Sequence, residues 1–279
     1  MGMNWNYFFF SNPKYFFVSS RSGVNMGANF FQVKGYDLDS IKAMIQKLEI
    51  HVVINCVGFT DVDGCEENPD LNRELNYIFP KNLNELCASL EVKFVHFSTD
   101  HFASKSAIPR SEETFVFPIN SYGEMKLLAE KSIVQNPTAV ILRTNFFGYN
   151  TSNSKKLLDW ARSNLLQGKE IEGFDDVFFS PISVSQLIRT TNLLVQSPYT
   201  GLFNLAGPES LSKFEFLQKL ANVLDVEIEL VSRTSIQSSS LKVQRPDYLS
   251  LSSTKIARLF PDFKNITLDG MLVEEVARF

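Results

Sequence analysis

Two short segments carry side chains suited to acting together on a reacting carbonyl: Ser98-Thr99-Asp100 at the end of an apolar run, and Ser121-Tyr122-Gly123-Glu124-Met125-Lys126 opening an amphipathic stretch. Tyr122 and Lys126 stand four residues apart, so on a helix they share one face and the ammonium can lie near the phenol. A free tyrosine loses its proton only near roughly pH 10, too high for fast proton exchange near neutrality, and a fixed cation is one way to lower that value. The phenol could then give a proton to a carbonyl oxygen as a hydride reaches its carbon. Thr99 offers a hydroxyl that could hold the same oxygen and favour the charge developing on it. The Tyr-x-x-x-Lys spacing alone is unspecific in a chain with eight tyrosines, and Ser or Thr at a strand end is an ordinary loop or cap residue. Weight comes from the joint order: an apolar strand, Ser-Thr-Asp, an acidic and Pro-punctuated interval, then Asn120-Ser121-Tyr122-Gly123 and a helix carrying Lys126.

The framework around these groups alternates between two periods. Residues 51 to 57, 92 to 97 and 138 to 143 are short, nearly continuous apolar runs that suit buried parallel strands. Between them lie helical patterns. Ile41, Met44, Ile45 and Leu48 fall at i, i+3, i+4, i+7, with Asp37 or Asp39 placed to cap the N-terminus. A second helix is expected over Leu71 to Leu90, kinked or interrupted at Pro80. Strand, helix, strand, helix, strand implies right-handed βαβ units in an α/β, doubly wound parallel sheet that binds ligands at the strand C-termini. Both chemical segments fall at such ends.

After Gly148 the pattern loosens. Residues 149 to 155 read as a loop, Leu157 to Leu166 as a helix, Gly201 to Gly207 as a strand, and Ser212-Lys213-Phe214-Glu215 as a capping box opening a helix through Leu224. The expected division is therefore 1–148, a dinucleotide-type part, and 149–279, a smaller mixed α/β substrate-side lobe. No internal repeat or low-complexity segment is visible.

Composition narrows the function classes. With 279 residues, 44% hydrophobic and 21% charged, the chain can bury a full core. A net charge of −4 with scattered Lys and Arg gives no footprint for a phosphate backbone, so nucleic acid is not an expected partner. No apolar run approaches the ~20 residues needed to span a bilayer, and the Phe-rich start lacks the flanks of a signal peptide, so the expectation is a cytoplasmic protein with no membrane partner. Cys56, Cys65 and Cys87 are odd in number and lack metal-type spacing; they read as reduced packing residues, and no metal site is expected.

The stretch from Val53 to Gly148 resembles the dTDP-4-dehydrorhamnose reductase family, extended short-chain dehydrogenase/reductases that act on sugar nucleotides. The resemblance is carried by Asn55-Cys56-Val57-Gly58-Phe59-Thr60-Asp61-Val62-Asp63, Asn76, Ser98-Thr99-Asp100, Asn120-Ser121-Tyr122-Gly123 with Lys126, and Leu142-Arg143-Thr144 before Gly148. Weaker likeness runs on to Arg245-Pro246-Asp247 and Ser252, so about four-fifths of the chain is covered. The resemblance implies a Rossmann-like fold and NADP- or NAD-dependent reduction of the 4-keto group of a nucleotide-activated deoxysugar, as in assembly of surface polysaccharide precursors. It implies catalytic roles for Thr99, Tyr122 and Lys126, cofactor contacts from Val57, Gly58, Thr60 and Lys126, and sugar contacts from Thr99 and Phe146. For Val57 and Gly58, a strand end packed under a loop is the competing reading. Phe146 stands where these reductases often have Trp, and His101-Phe102 departs from their usual Tyr-Val-Phe. The implied partner is a nucleotide-sugar substrate; a homodimer is left open.

The family begins with a strand, a G-x-x-G-x-x-G turn and a helix whose N-terminus holds a pyrophosphate. Here Trp5-Asn6-Tyr7-Phe8-Phe9-Phe10 follows Met1 closely, and Gly2 is the single glycine before Gly23, so the first strand and its glycine turn are expected to be missing. By resemblance residues 3 to 10 are the end of that helix and Tyr15 to Ser20 the second strand; by local pattern, Tyr7 to Phe10 and Tyr15 to Val18 could pair as a hairpin across Ser11-Asn12-Pro13-Lys14. Arg21 could meet a 2′-phosphate or be a surface arginine. Two other functions remain on the same scaffold: a non-catalytic binding or regulatory subunit, as in the methionine adenosyltransferase regulatory subunit of this superfamily, and a sugar-nucleotide epimerase or dehydratase.

Overall fold

The computed structural model describes residues 36–104, 108–148 and 156–278, together with strand positions 17–18 and 30–31. Residues 3–16, Arg21 and the 149–155 loop lie outside the described residues, and with them the choice between helix end and hairpin at the start. Within Tyr15 to Ser20, strand β1 (Phe17–Val18) is described; it pairs in parallel with β2 (Phe30–Phe31). The chain divides into two compact units that interleave along the sequence: unit 1 takes residues 1–98, 120–142 and 190–202, and unit 2 takes 99–119, 143–189 and 203–279.

Unit 1 is built on three parallel strands, β3 (Val52–Asn55), β4 (Lys93–Phe97) and β5 (Ala139–Arg143), each inside one of the three apolar runs. A later strand, β10 (Gly201–Asn204), extends the sheet beyond β5, giving the order β10-β5-β4-β3. This is the expected α/β, Rossmann-like arrangement of a mostly parallel sheet with crossover helices. Helix α1 (Leu38–Lys47) forms as its periodicity predicts, burying Ile41 and Ile45, and of the two candidate caps it is Asp37 that serves, accepting from the amides of Asp39 and Ser40. Its inner face joins Phe79, Leu83, Phe94, Ile133 and Ile141 in one apolar cluster. Each fully buried side chain of this size contributes about 1.5–3 kcal/mol.

A short helix α2 (Val62–Glu67) precedes the second helical stretch, which runs without a gap as α3 (Pro69–Arg73), a π-helical turn (Glu74–Ile78) and α4 (Phe79–Ser89), interrupted as expected but ahead of Pro80. Pro80 has no N–H to offer the carbonyl four residues earlier, and the ladder widens just before it, the Phe79 N–H reaching back five residues to the Glu74 carbonyl. The expected break at Pro80 is therefore taken up one turn earlier. Helix α5 (Ser121–Ile133) starts at Asn120, whose side chain accepts from the Gly123 amide at 2.9 Å.

Unit 2 contains short strand pairs: β6 (Phe146–Phe147) parallel with β9 (Ile182–Ser183), β7 (Ile171–Phe174) parallel with β12 (Val231–Thr234), and β8 (Phe178–Phe179) antiparallel with β11 (Leu211–Ser212). Its helices include α6 (Leu157–Leu165), α8 (Lys213–Val223), α9 (Thr254–Leu259) and α10 (Leu268–Val276), while α7 (Val184–Gln196) runs across the boundary between the units. The capping box at Ser212 is complete, with Ser212 Oγ accepting from the Glu215 amide and the Glu215 carboxylate accepting from the Ser212 amide. Phe216 anchors α8 edge-on against Phe147 and Phe179, at centroid distances of 5.2 and 5.5 Å.

Among the described residues no helix is long and apolar enough to cross a membrane. Cys56, Cys65 and Cys87 are free thiols, each pushed up to about 12 chiefly by burial, which keeps them protonated and unreactive.

Candidate functional site

In unit 1 the candidate residues gather at the C-terminal edge of the parallel strands. The chain leaving β3 is held by two asparagines. Asn55 Oδ1 accepts from the Val57 amide at 3.0 Å, and Asn76, presented by the π-helical turn, accepts from the Phe59 amide at 3.1 Å and donates to the Phe59 carbonyl at 2.8 Å. Asn76 is itself fixed by donating to Asn72 Oδ1 at 2.8 Å, and Asn72 donates to Ser121 Oγ at 2.8 Å. A side chain at Gly58 would bring its Cβ to 3.2 Å from Asn76 Oδ1, so the clamp favours glycine there. Val57 is half-buried and packs against the apolar cluster, while Thr60 is exposed.

Tyr122 and Lys126 lie on α5, both buried, at 8% and 4% exposure. The start of this helix is tied to α2 by the Ser121 amide, which donates to Glu66 Oε1 at 2.7 Å. The Lys126 ammonium donates to the carbonyl of Phe97, the last residue of β4, at 2.5 Å and stands 3.4 Å from His96 Nε2. Burial brings its proton affinity down to about 8, against the opposing pull of Glu130. Glu130 accepts a short hydrogen bond from Ser98 Oγ, 2.5 Å, which pins α5 to the end of β4 from within. Behind the lysine, His96 is fully buried, its proton affinity held well below that of a free imidazole first by burial and then by Lys126. Its Nδ1 lies 3.1 Å from Asn55 Nδ2, because register sets Asn55 of β3 beside His96 of β4.

The other candidates belong to unit 2. Thr99 is buried and its Oγ1 accepts from the His101 amide at 3.1 Å. Asp100 is buried, its Oδ2 accepting from Asn145 Nδ2 at 2.7 Å; burial raises its proton affinity, and the Asn145 bond, Lys213 and Arg110 work against that rise. Arg110 is fully buried and its guanidinium donates to the carbonyls of Phe102 and of Asp100, the latter at 2.8 Å. The Arg143 guanidinium covers the Phe102 ring at 5.3 Å from its centroid, so Phe102 of the departing His101-Phe102 pair is a packing residue. Phe146, in β6, is half-buried with the Lys156 ammonium 5.7 Å from its ring centroid.

The structure thus brings Val57, Gly58, Thr60, Tyr122 and Lys126 into one unit and places Thr99 and Phe146 in the other. Sequence reasoning had no role for His96, Glu130 or the Asn55 side chain. A signal for the first was present: a histidine inside an otherwise apolar strand needs a buried partner, and such a partner is worth seeking at the strand's C-terminal end.

Known proteins share both this sequence pattern and this sheet. The family described as the RmlD substrate binding domain matches residues 17–266. A probable low-salt glycan biosynthesis reductase, Agl14, of Haloferax volcanii is 29% identical over 220 residues, covering 77% of this chain and 73% of that protein. Methionine adenosyltransferase 2 subunit beta of Rattus norvegicus is 24% identical over 249 residues, covering 82% and 71%. Among solved structures, the dTDP-4-dehydrorhamnose reductase of Bacillus anthracis in complex with NADP superimposes with a TM-score of 0.78 at 22% identity, covering 90% of each chain, and shares the fold. A match spanning most of the sequence, on this parallel sheet, establishes that the chain belongs to the RmlD substrate-binding domain family.

Proposed function

We propose that this chain reduces the 4-keto group of a nucleotide-activated deoxysugar with NADPH or NADH. The reading rests above all on Lys126: a buried lysine, four residues after Tyr122, held on the last carbonyl of a parallel strand with its proton affinity brought down to about 8. Likeness to the Haloferax volcanii reductase and to a reductase solved with NADP supports it.

The residues after β3 suit a dinucleotide: a clamped backbone with glycine where it meets Asn76, an exposed Thr60 and a buried ammonium at a parallel-sheet C-terminal edge. Val57, Gly58 and Thr60 would lie along it and Lys126 would reach its ribose, with the part up to residue 148 holding the cofactor and residues 149–279 the sugar. Such a cofactor supplies a hydride to the substrate carbon. Tyr122 gives its phenolic proton to the carbonyl oxygen, Thr99 donates a hydrogen bond to the same oxygen, and Phe146 packs against the sugar. The Lys126 ammonium favours the phenolate left behind, and one proton from solvent restores the pair, so each turnover consumes one hydride and one proton.

The test is NADPH oxidation with a 4-keto-6-deoxy sugar nucleotide. Tyr122→Phe should lose at least ~100-fold in turnover while keeping the fold, the usual scale for a positioned proton donor; turnover equal to wild type would refute the assignment. A second reading, a non-catalytic binding subunit, draws on the likeness to methionine adenosyltransferase 2 subunit beta. Saturable NADPH binding by a folded wild-type chain, with no turnover of any keto-sugar nucleotide, would favour it.

A further inference from the structure

The polar atoms behind Lys126 form a chain whose direction is decided by one backbone group. The Val57 N–H can only donate, so the Asn55 side-chain atom 3.0 Å from it must be the oxygen. The Asn55 amide nitrogen, itself only a donor, then faces His96 Nδ1 at 3.1 Å, which makes Nδ1 an acceptor. A neutral imidazole with a bare Nδ1 carries its proton on Nε2, and Nε2 points at Lys126 Nζ across 3.4 Å.

We infer that His96, its tautomer set by Asn55, presents an N–H rather than a lone pair to Lys126 and thereby weakens the lysine's hold on its proton. When Lys126 is charged, two donors face each other; when it is neutral, its lone pair accepts from His96 Nε2–H while an amine hydrogen still reaches the Phe97 carbonyl. Asn55, His96 and Lys126 then form one continuous donor-to-acceptor chain running from the residues after β3 to α5. Among the described residues, the groups acting on the pair include Asn55 from β3, the Phe97 carbonyl and the near-parallel Phe94 ring from β4, and Glu130 one turn along α5, which pulls the other way. Burial lowers the proton affinity of both groups, and the Lys126 charge lowers that of His96 further.

The consequence for chemistry rests on the reductase reading. After Tyr122 has given its proton away, Lys126 can return one to the phenolate, becoming the neutral amine that His96 is built to receive, and is recharged from solvent. His96 is thus a positioning residue, acting through Lys126 and touching neither substrate nor cofactor.

Two measurements on the full chain test the inference without any activity readout. Two-bond proton–nitrogen correlation spectra of the histidine-labelled protein, which holds His51, His96 and His101, should show His96 bare at Nδ1 and protonated at Nε2; the opposite tautomer overturns the proposal. Carbon-13 titration of the lysine ε-methylenes should show the Lys126 midpoint rising by about one pH unit in His96→Phe, the scale of one net hydrogen bond withdrawn from the neutral amine. In Asn55→Asp the carboxylate draws the proton to Nδ1, turns Nε2 into an acceptor and raises the midpoint as well. A midpoint unchanged or lowered in a folded His96→Phe chain overturns the proposal. Failure of the reductase reading alone would appear as absent turnover with the His96 tautomer and the Lys126 shift intact.

Discussion

Replacing Lys126 with methionine keeps the length of the side chain and removes its charge, and the surroundings of the lysine set both the size and the sign of the effect on stability. Burial brings the lysine from 10.5 to about 8 in the folded state, a difference of about 2.5 units, or roughly 3 kcal/mol by which folding disfavours the charged form. Because the folded value lies below the unfolded one, the unfolded chain binds more protons between about pH 8 and pH 10.5. Stability therefore rises with pH across that window, and the full cost is present below it. In Lys126→Met this contribution is absent. The Phe97 carbonyl loses its donor in the variant, an offset of about 1–3 kcal/mol that does not depend on pH. Urea unfolding of both proteins from about pH 7 to pH 10 separates the two effects. Lys213, also brought down to about 8, titrates in both chains and cancels in the difference. The stability of wild type minus that of the variant should grow by about 2–3 kcal/mol in favour of wild type over this range. A difference flat to within about 0.5 kcal/mol would show that Lys126 is not held as a desolvated ammonium and would remove the ground for its assigned chemistry.

Two further substitutions probe the frame around the site. Asn76→Ala removes the clamp on Phe59 and should cost about 1–3 kcal/mol in thermal or urea unfolding. It should also speed hydrogen exchange at the Phe59 amide, and unchanged protection there would contradict the role given to the π-helical turn. Gly207→Ala in unit 2 would set a Cβ only 2.0 Å from the Pro181 carbonyl oxygen, a backbone atom that cannot swing aside. A loss of about 1–3 kcal/mol is expected, and a variant as stable as wild type would mean that this approach is looser than the structure shows.

Features that neighbouring residues decide among themselves were legible from the chain alone. The α1 face of Ile41 and Ile45 with an aspartate cap at Asp37 or Asp39, the Ser212 and Glu215 capping box, the helix opening at Ser121 and the three apolar strands all rest on spacings of two to four residues or on runs shorter than ten. Their interactions are local, so their signatures are local too. The Tyr122 and Lys126 pairing on one helix could be read for the same reason, as could the family likeness carried by short motifs in order.

Other features arise only when distant segments pack. That His96 has Asn55 for a neighbour comes from the register of β3 on β4, a pairing across 41 positions that no local pattern encodes. Pro80 announced a disturbance in its helix, yet only the folded structure shows it as a π-helical turn that presents Asn76 to Phe59. Lys126 is an ordinary lysine in the sequence; withdrawal from water onto the Phe97 carbonyl is what brings its proton affinity into the range where it can take part in chemistry. Charge and hydrogen bonding in a low-dielectric interior depend on which groups are brought together and which are left without water, and chain neighbours settle neither.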